Sequence, residues 1–269
     1  MMQAGAFYTG MELARRLEAA EAGLGAACAE AQQRLNPDTL ATVLEVAGGF
    51  AIFVGVASPL THALGLGMRG LVLAGEIDRL EEFYRARGAA ATVDLCPLAD
   101  ASLIAWLGER GYRLTEFNNV LVRPLAGAEV ALPPLPVRLA GAGEEHLWAR
   151  TVGRGFLEKD DLTAEETDVG RAIWHIPGSR CYLALAGGRE AAGGAMAVDG
   201  GLATLFADST MLGFRGAGMQ SALILERLRA AVAEGCDLAT AATLPGSASQ
   251  RNYERHGFRV AYTRATLVR

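Results

Sequence analysis

An arginine and two glycines stand directly before a helical pattern in the second half of the chain. The segment reads "GFRGAGMQSALI" over residues 213–224, with Arg215, Gly216 and Gly218 ahead of the apolar positions. The first turn of a helix presents unpaired backbone N–H groups and a partial positive charge. Glycine lets these groups approach an anion closely, and Arg215 adds a cation. The spacing predicts a site for a phosphate or pyrophosphate group.

Two common phosphate motifs do not fit this segment. It lacks the G-x-G-x-x-G pattern of a Rossmann dinucleotide site and the Lys-Ser/Thr pair of a P-loop. A glycine turn before a helix also serves as a plain tight connection. On the glycines alone, that structural interpretation is favoured.

Three segments in order resemble the GNAT acyltransferase superfamily. Its signature, Gln/Arg-x-x-Gly-x-Gly/Ala, reads here Arg215-Gly-Ala-Gly218-Met-Gln220, with Gln220 in place of the small last residue. "YERHGF", beginning at Tyr253, matches the Tyr-x-x-x-Gly-Phe that closes such domains. "VRLAGAGEEHLWARTVGRGF" looks like their opening strand and first helix. The resemblance covers residues 136–269.

The resemblance implies a site for acetyl-CoA around the glycine turn. The residues expected to contact it are Thr210, Met211, Arg215, Gly216, Ala217, Gly218, Met219, Gln220, Ser221 and Ser249. In this superfamily the strand before the turn carries the acyl group, and a backbone N–H contacts the thioester oxygen. Thr210 and Met211 would be the nearest donors. The Asn that such domains often carry seven residues before the tyrosine is Gly246 here, with Ser247 and Ser249 nearby.

Tyr253 and Asp208 are the catalytic residues that the resemblance implies. A phenol with an ordinary pKa near about 10 can donate a proton to a leaving thiolate of similar basicity, so Tyr253 is the expected general acid. The alternative for Tyr253 is packing at the edge of the core. Asp208 is the candidate base. It alternates with Ala207 and Ser209, so it faces either the cleft or solvent, and the pattern leaves both open.

The implied activity is transfer of an acetyl or other short acyl group from acetyl-CoA to an amine by direct attack. The acceptor is a small-molecule or peptide amine that the sequence does not name. Glu158, Asp160 and Asp161 either line its entrance or form a solvated loop. The first alternative is a non-catalytic acyl-CoA sensor of the same fold. The second is a structural protein.

An internal repeat divides the chain. "GYRLTEFNNVLVR" (Gly111–Arg123) and "GFRVAYTRATLVR" (Gly257–Arg269) share five identities, and similar elements precede both in the same order. We expect a mixed α/β fold of two tandem GNAT-like domains, residues 1–132 and 133–269. Each would have its own central, largely antiparallel sheet flanked by helices.

The first copy lacks the residues that carry the chemistry. Arg69 and Val72 stand where the second copy has Arg215 and Gly218, and Leu107 stands where it has Tyr253. Glu76 and Asp78 begin the next helix, where they suit a helix N-terminus but would repel a pyrophosphate. We expect this half to bind no CoA and to form one wall of the acceptor cleft.

Composition excludes several classes of protein. The net charge of −5 argues against a nucleic-acid binder, because phosphate binding needs a basic surface. The N-terminal segment lacks a secretory pattern and no apolar run is long enough to span a membrane, which predicts a cytoplasmic protein. The four cysteines form no C-x-x-C pair and the histidines no paired motif, so no metal site is expected. Oligomeric state is left open, a homodimer included.

Overall fold

The computed structural model describes residues 9–56 and 58–269, which contain seven α-helices, eleven strands and two short 3-10 helices, Pro37–Thr39 and Leu212–Phe214. The helices are α1 Met11–Leu35, α2 Ala74–Arg85, α3 Ala101–Glu109, α4 Glu145–Leu157, α5 Ala164–Trp174, α6 Met219–Ala233 and α7 Ala248–Arg255. The strands are β1 Thr42–Val46, β2 Gly49–Phe53, β3 Ala63–Leu64, β4 Thr92–Leu95, β5 Arg113–Pro124, β6 Val137–Leu139, β7 Arg180–Ala186, β8 Arg189–Asp199, β9 Leu202–Thr210, β10 Leu238–Thr243 and β11 Arg259–Val268. None of these helices is both long and apolar enough to cross a membrane.

All eleven strands belong to one mixed sheet. Its order is β1-β2-β3-β4-β11-β5-β10-β9-β8-β7-β6. The mixed α/β class is therefore confirmed, but the expectation of a separate sheet for each half is wrong. The reason lies in where the last strand of each half pairs.

The two halves exchange their last strands. β5 ends the first half but pairs with β10, and β11 ends the chain but pairs with β4. β5 and β11 also pair with each other, antiparallel, between those two neighbours. Each last strand therefore completes the part of the sheet built by the other half, and the sheet continues without a break across the sequence boundary near Leu132.

The pairing of β5 with β11 has two-fold symmetry. Arg264 lies opposite Asn118, its counterpart 146 positions earlier, at the centre of the pairing. Arg259 pairs with Val122, and the equivalent exchange pairs Val268 with Arg113. The register shifts twice along β11, between residues 260 and 262 and between residues 266 and 267. The two-fold symmetry exchanges these two places. The geometry thus repeats the internal similarity of the sequence.

Helices cover both faces of the strands in the second half. On one face, Trp148 of α4 packs with Cys181 and Leu183. On the other, Leu223 of α6 packs with Tyr182, the residue between them. Adjacent residues of β7 therefore contact helices on opposite faces, as strand alternation requires.

A buried ion pair joins α1 to the exchanged strand β11. Arg264 Nε donates to Glu18 Oε1 at 2.7 Å, and the Tyr262 hydroxyl donates to the same oxygen at 2.7 Å. Arg264 Nη1 also lies 2.5 Å from Glu21 Oε2. Glu18 and Arg264 are each only 1% exposed. Burial raises the pKa of Glu18, and the charge of Arg264 opposes that shift.

Replacing Arg264 by Met is expected to lower the free energy of unfolding by about 3 kcal/mol, because it leaves the Glu18 carboxyl buried without its cation. Urea unfolding measures the change. Arg259→Met, at an exposed position of the same strand, is the control and should lie within about 0.5 kcal/mol of the parent. Equal unfolding midpoints for the two variants would show that the buried pair contributes nothing.

Candidate active site

The start of α6 presents a row of free backbone donors. Gly216 and Gly218 have φ values of +76° and +83°, in the left-handed region that favours glycine. Within the described part of the chain, nothing accepts a hydrogen bond from five backbone N–H groups of this turn and first helical turn: those of Gly216, Gly218, Met219, Gln220 and Ser221. Residues 216–218 are exposed to solvent. A row of free donors at the positive end of a helix can bind an anion.

Two parallel strands separate just below this turn. β9 and β10 pair only at Leu202–Leu238, Ala203–Ala239 and Thr204–Thr240. β9 then continues to Thr210 and β10 to Thr243 without further pairing between them. The sheet opens into a gap whose β9 side leads directly to the free donors. An extended ligand bound at the turn could enter the sheet here.

Near this gap, the backbone N–H groups at the end of β9 point alternately towards β8 and towards the open side of the strand. Met211 N–H donates to Ala191 O at 3.0 Å. The expectation that Met211 offers its N–H to a thioester is therefore wrong, because pairing with β8 already uses that group. Thr210 lies opposite Ala192, and antiparallel alternation turns its N–H away from β8. The thioester-donor role of Thr210 stays a prediction.

Tyr253 and Asp208 are hydrogen-bonded to each other. The Tyr253 hydroxyl of α7 donates to Asp208 Oδ2 of β9, and the guanidinium of Arg227 contacts Asp208 Oδ1 from α6. Tyr253 is 2% exposed, Arg227 is fully buried, and Asp208 keeps 9% of its side chain exposed. Asp208 thus points neither to an open cleft nor to solvent. The two residues predicted to act as acid and base form one buried cluster with Arg227.

A bulge in β9 places Asp208 in this cluster. Ala207 has φ +55°, and the register between β8 and β9 shifts between Gly193 and Ala195. Gly194 leaves the necessary room, since a Cβ there would lie 2.6 Å from Asp208 Oδ1 and 3.0 Å from Arg227 Nη1. The extra residue of the bulge bends the strand and redirects its side chains.

The electrostatics of the cluster keep Tyr253 protonated. Burial, followed by the neighbouring Asp208 carboxylate, raises the pKa of Tyr253 well above its ordinary value of 10.0, and Arg227 acts in the opposite direction. Burial disfavours the charge of Arg227, but Asp208 and Tyr253 outweigh it and raise the pKa of Arg227. At neutral pH the cluster therefore holds one proton on the phenol and one cation on Arg227.

Arg215 lies beside the free donors but is held by α4. Its Nη1 is 2.8 Å from Glu158 Oε1, and its Nη2 donates to Gly155 O at 3.0 Å. Glu158 thus contacts the predicted phosphate-binding arginine rather than standing free at an acceptor entrance. Asp160 and Asp161 are exposed, and among the described residues their carboxylates form no ion pair, although Arg154 Nε donates to the backbone carbonyl of Asp160 at 2.8 Å.

Glu158→Gln is expected to raise the affinity for acetyl-CoA by about two- to fivefold, because an exposed ion pair is weak and its loss frees Arg215 for the phosphates. Calorimetric titration measures the change. Asp160→Asn removes the same charge from the same loop without touching Arg215, and serves as the control. A loss of affinity in Glu158→Gln would mean that Glu158 instead orients Arg215 for the ligand.

Gln220 connects the first turn of α6 to α7. Its Nε2 donates to Ser249 Oγ at 2.7 Å, and Asn252 Nδ2 donates to Gln220 Oε1 at 2.8 Å. Ser247 Oγ accepts from Gln250 N–H as the cap of α7, so Ser247 does not replace the missing Asn. The side chain of Gln220 is turned towards α7, and its backbone N–H stays free.

The corresponding turn of the first half is closed by a carboxylate. Glu76 lies in the first turn of α2 and accepts from Leu73 N–H at 2.9 Å and from Ala47 N–H at 3.0 Å. Its two oxygens occupy the end of the helix where a phosphate would bind. Leu107, at the repeat position of Tyr253, is a buried core residue. That the first half binds no CoA stays a prediction.

His62 and the four cysteines lie outside the cluster of Tyr253, Asp208 and Arg227. His62 Nδ1 lies 2.8 Å from Asp94 Oδ2. All four cysteines are free and buried. The described residues contain no group of three or more His, Cys, Asp or Glu side chains arranged to hold a metal ion.

Arg227 and Asn252 are the site residues that sequence reasoning missed. Arg227 falls on the apolar stripe of α6, four residues after Leu223 and directly before Leu228. A charged residue at such a position signals a buried partner, and that signal was available. Asn252 carries no comparable signal, because a polar residue on a short surface helix is ordinary.

Comparison with known proteins identifies the fold. No protein-family model matches the sequence, and no curated protein sequence matches it. A GCN5-related N-acetyltransferase from Kribbella flavida is 16% identical with a TM-score of 0.62, covering 90% of this chain and 95% of that one. Another, from Sphaerobacter thermophilus, is 15% identical with a TM-score of 0.58, covering 95% and 93%.

A protein with two such units is also similar. A tandem GNAT protein from the clavulanic acid biosynthesis pathway, determined without AcCoA, is 16% identical with a TM-score of 0.57, covering 84% of this chain and 81% of that one. At these identities the likeness is one of fold. The chain has the GNAT fold over most of its length.

Proposed function

We propose that this chain transfers an acetyl or other short acyl group from acetyl-CoA to an amine, with the reaction in residues 133–269. The observation that carries the proposal is the row of five free backbone N–H groups from Gly216 to Ser221, which opens onto the gap between β9 and β10. Neutral donors at a helix N-terminus suit a pyrophosphate. The first half, residues 1–132, has Glu76 at the equivalent place and is proposed to bind no CoA.

The chemistry assigns a role to each part of the site. The turn binds the pyrophosphate with Arg215 beside it, and the pantetheine arm enters the gap. The Thr210 N–H polarises the thioester carbonyl, as an oxyanion donor does. The neutral amine attacks the carbonyl carbon, the C–N bond forms and the C–S bond breaks. The Tyr253 proton passes to the sulfur, a transfer that the raised pKa of the phenol opposes and the neighbouring Arg227 cation favours. The surplus proton of the amine goes to solvent and is regained by the phenol.

Asp208 acts within this scheme through Tyr253. Because it is bonded to both Tyr253 and Arg227, we assign it the orientation of the phenol rather than removal of a proton from the acceptor. The acceptor amine is then deprotonated by solvent before it attacks. The net negative charge of the chain favours approach of a cationic amine.

A non-catalytic acyl-CoA sensor is the second candidate. The observation that favours it is the deep burial of Tyr253, whose hydroxyl is bonded to Asp208 and which must be reached by the sulfur for turnover. A sensor would use the turn and the gap and need no proton donor.

Calorimetric titration with acetyl-CoA, followed by a panel of primary amines with thiol release as the readout, tests the proposal. Binding near one site per chain with turnover on an amine supports the enzyme. Binding with no thiol release on any amine supports the sensor. No heat and no thermal shift would reject both.

A further inference from the structure

Arg227 is a buried cation whose donors all point at the active-site strands or at its own helix. Its Nε donates to Leu223 O at 3.0 Å, within α6. Its Nη1 donates to Ala195 O of β8 at 2.9 Å, with Phe206 O of β9 at 3.4 Å. Its Nη2 contacts the Asp208 carboxylate. With these bonds made and no exposed surface, Arg227 is not placed to bind a phosphate of CoA.

Stability alone does not account for this arginine. A buried ion pair adds little net stability, and apolar side chains of similar volume serve as well or better in its place. The rest of the stripe on α6 that faces the sheet is apolar, including Leu223, Ile224 and Leu228. Unlike the buried Arg264, Arg227 contacts a carboxylate that is bonded to the proposed acid, Tyr253, and this contact points to a role in the site.

The role follows from what happens to Tyr253 when it gives up its proton. A phenolate would then stand against the Asp208 carboxylate, and two adjacent anions oppose ionisation strongly. Among the described residues, Arg227 is the cation in contact with this pair. Its charge compensates the second negative charge, and its bonds to β8 and β9 hold Asp208 where Tyr253 can reach it.

We propose that Arg227 is a positioning residue for acyl transfer, which fixes Asp208 and thereby orients Tyr253 and enables it to protonate the leaving thiolate. The proposal rests on the proposed function of this site. In the step concerned, the C–S electron pair goes to sulfur, the proton moves from the Tyr253 oxygen to sulfur, and the resulting phenolate is neutralised by Arg227. No other reactant is needed.

A double-mutant cycle tests the proposal on the full chain. Arg227→Lys keeps the charge but loses the fixed fork of donors, and is expected to lower turnover about 10- to 100-fold with the Kd for acetyl-CoA changed less than about twofold. In a Tyr253→Phe background the same substitution should change turnover less than about twofold, because its effect passes through the phenol. Arg229→Gln, an exposed position two residues along the same helix, is the control.

The outcomes separate this proposal from a purely structural role. An equal loss of turnover in both backgrounds would overturn it and make Arg227 a packing residue. If Arg227→Lys does not fold, Gly194→Ala is used instead, because its Cβ would press on Asp208 and Arg227 while leaving both charges in place. The same pattern of effects is expected.

An NMR measurement that does not depend on turnover tests the positioning role of Arg227 separately from the proposed acyltransferase activity. Tyrosine labelled with ¹³C at Cζ reports the hydrogen bond of Tyr253, assigned by loss of its signal in Tyr253→Phe. The shift is expected to change in Arg227→Lys and to stay unchanged in Arg229→Gln. An unchanged shift in Arg227→Lys overturns the positioning role. If the wild-type chain binds acetyl-CoA but acetylates no amine, the proposed function is wrong, and the cluster of Tyr253, Asp208 and Arg227 has no catalytic use.

Discussion

Gly218→Glu is expected to abolish acetyl-CoA binding, with the Kd raised at least about 100-fold, equivalent to about 2.7 kcal/mol. The new carboxylate would stand at the positive end of α6, beside the five free N–H groups, and would compete with the pyrophosphate for them, much as Glu76 accepts backbone N–H groups at the start of α2. Calorimetric titration of the purified variant measures the loss.

The control for this substitution lies at the other end of the same helix. Gly235 has φ +74°, close to the +83° of Gly218, and no atom of residues 9–56 or 58–269 lies within 4 Å of a Cβ placed there. Gly235→Glu therefore carries the same backbone strain and the same added charge away from the turn. If both variants lost binding equally, the cause would be strain and not the anion site; if neither did, the cofactor would bind elsewhere.

Tyr253→Phe is expected to reduce turnover by roughly 10- to 1000-fold, the contribution of one acid–base group, with the affinity for acetyl-CoA little changed. The phenol donates the proton that the leaving thiolate needs, while the ring of phenylalanine keeps the edge-to-face contact with Phe258 at 4.9 Å. Steady-state kinetics on the best amine of the panel and a parallel titration separate the two quantities.

Tyr262→Phe is the matched control for Tyr253→Phe. Tyr262 is also a buried tyrosine that donates to a carboxylate, Glu18, but it lies outside the site. The two variants lose the same kind of hydrogen bond, worth about 1.5–3 kcal/mol of stability because the acceptor is a carboxylate. A similar drop in turnover for both would trace the loss to stability, and full activity in Tyr253→Phe would remove the phenol from the mechanism.

The order of elements and the glycine turn could be predicted from local sequence. The turns "GGRE" (residues 187–190) and "DGG" (residues 199–201) are too short for a crossover, so local sequence indicates that β7, β8 and β9 are antiparallel neighbours. The positive φ of Gly216 and Gly218 follows from the same kind of local rule.

Pairings between distant residues could not be predicted in the same way. The sequence of β5 or β11 does not determine which strand each pairs with, because the two strands are similar and either could pair within either half of the chain. The bulge at Ala207 turns Asp208 towards α6, a direction that the alternation of side chains along a regular strand does not predict. Met211 has the right position for a thioester donor, but its N–H is used by Ala191, a contact set by register with β8.

The exchanged strands also bear on how such a chain arises. A two-fold pairing of equivalent segments is the isologous contact by which identical subunits form dimers. Here the same contact lies within one polypeptide. This is the arrangement expected if two subunits that exchanged their last strands were fused end to end. Fusion replaces a concentration-dependent encounter by an effective concentration in about the millimolar range. Within one polypeptide the two halves need not stay alike: Glu76 occupies the start of α2 in the first half, while strand β5 of that half still pairs with β10 of the second.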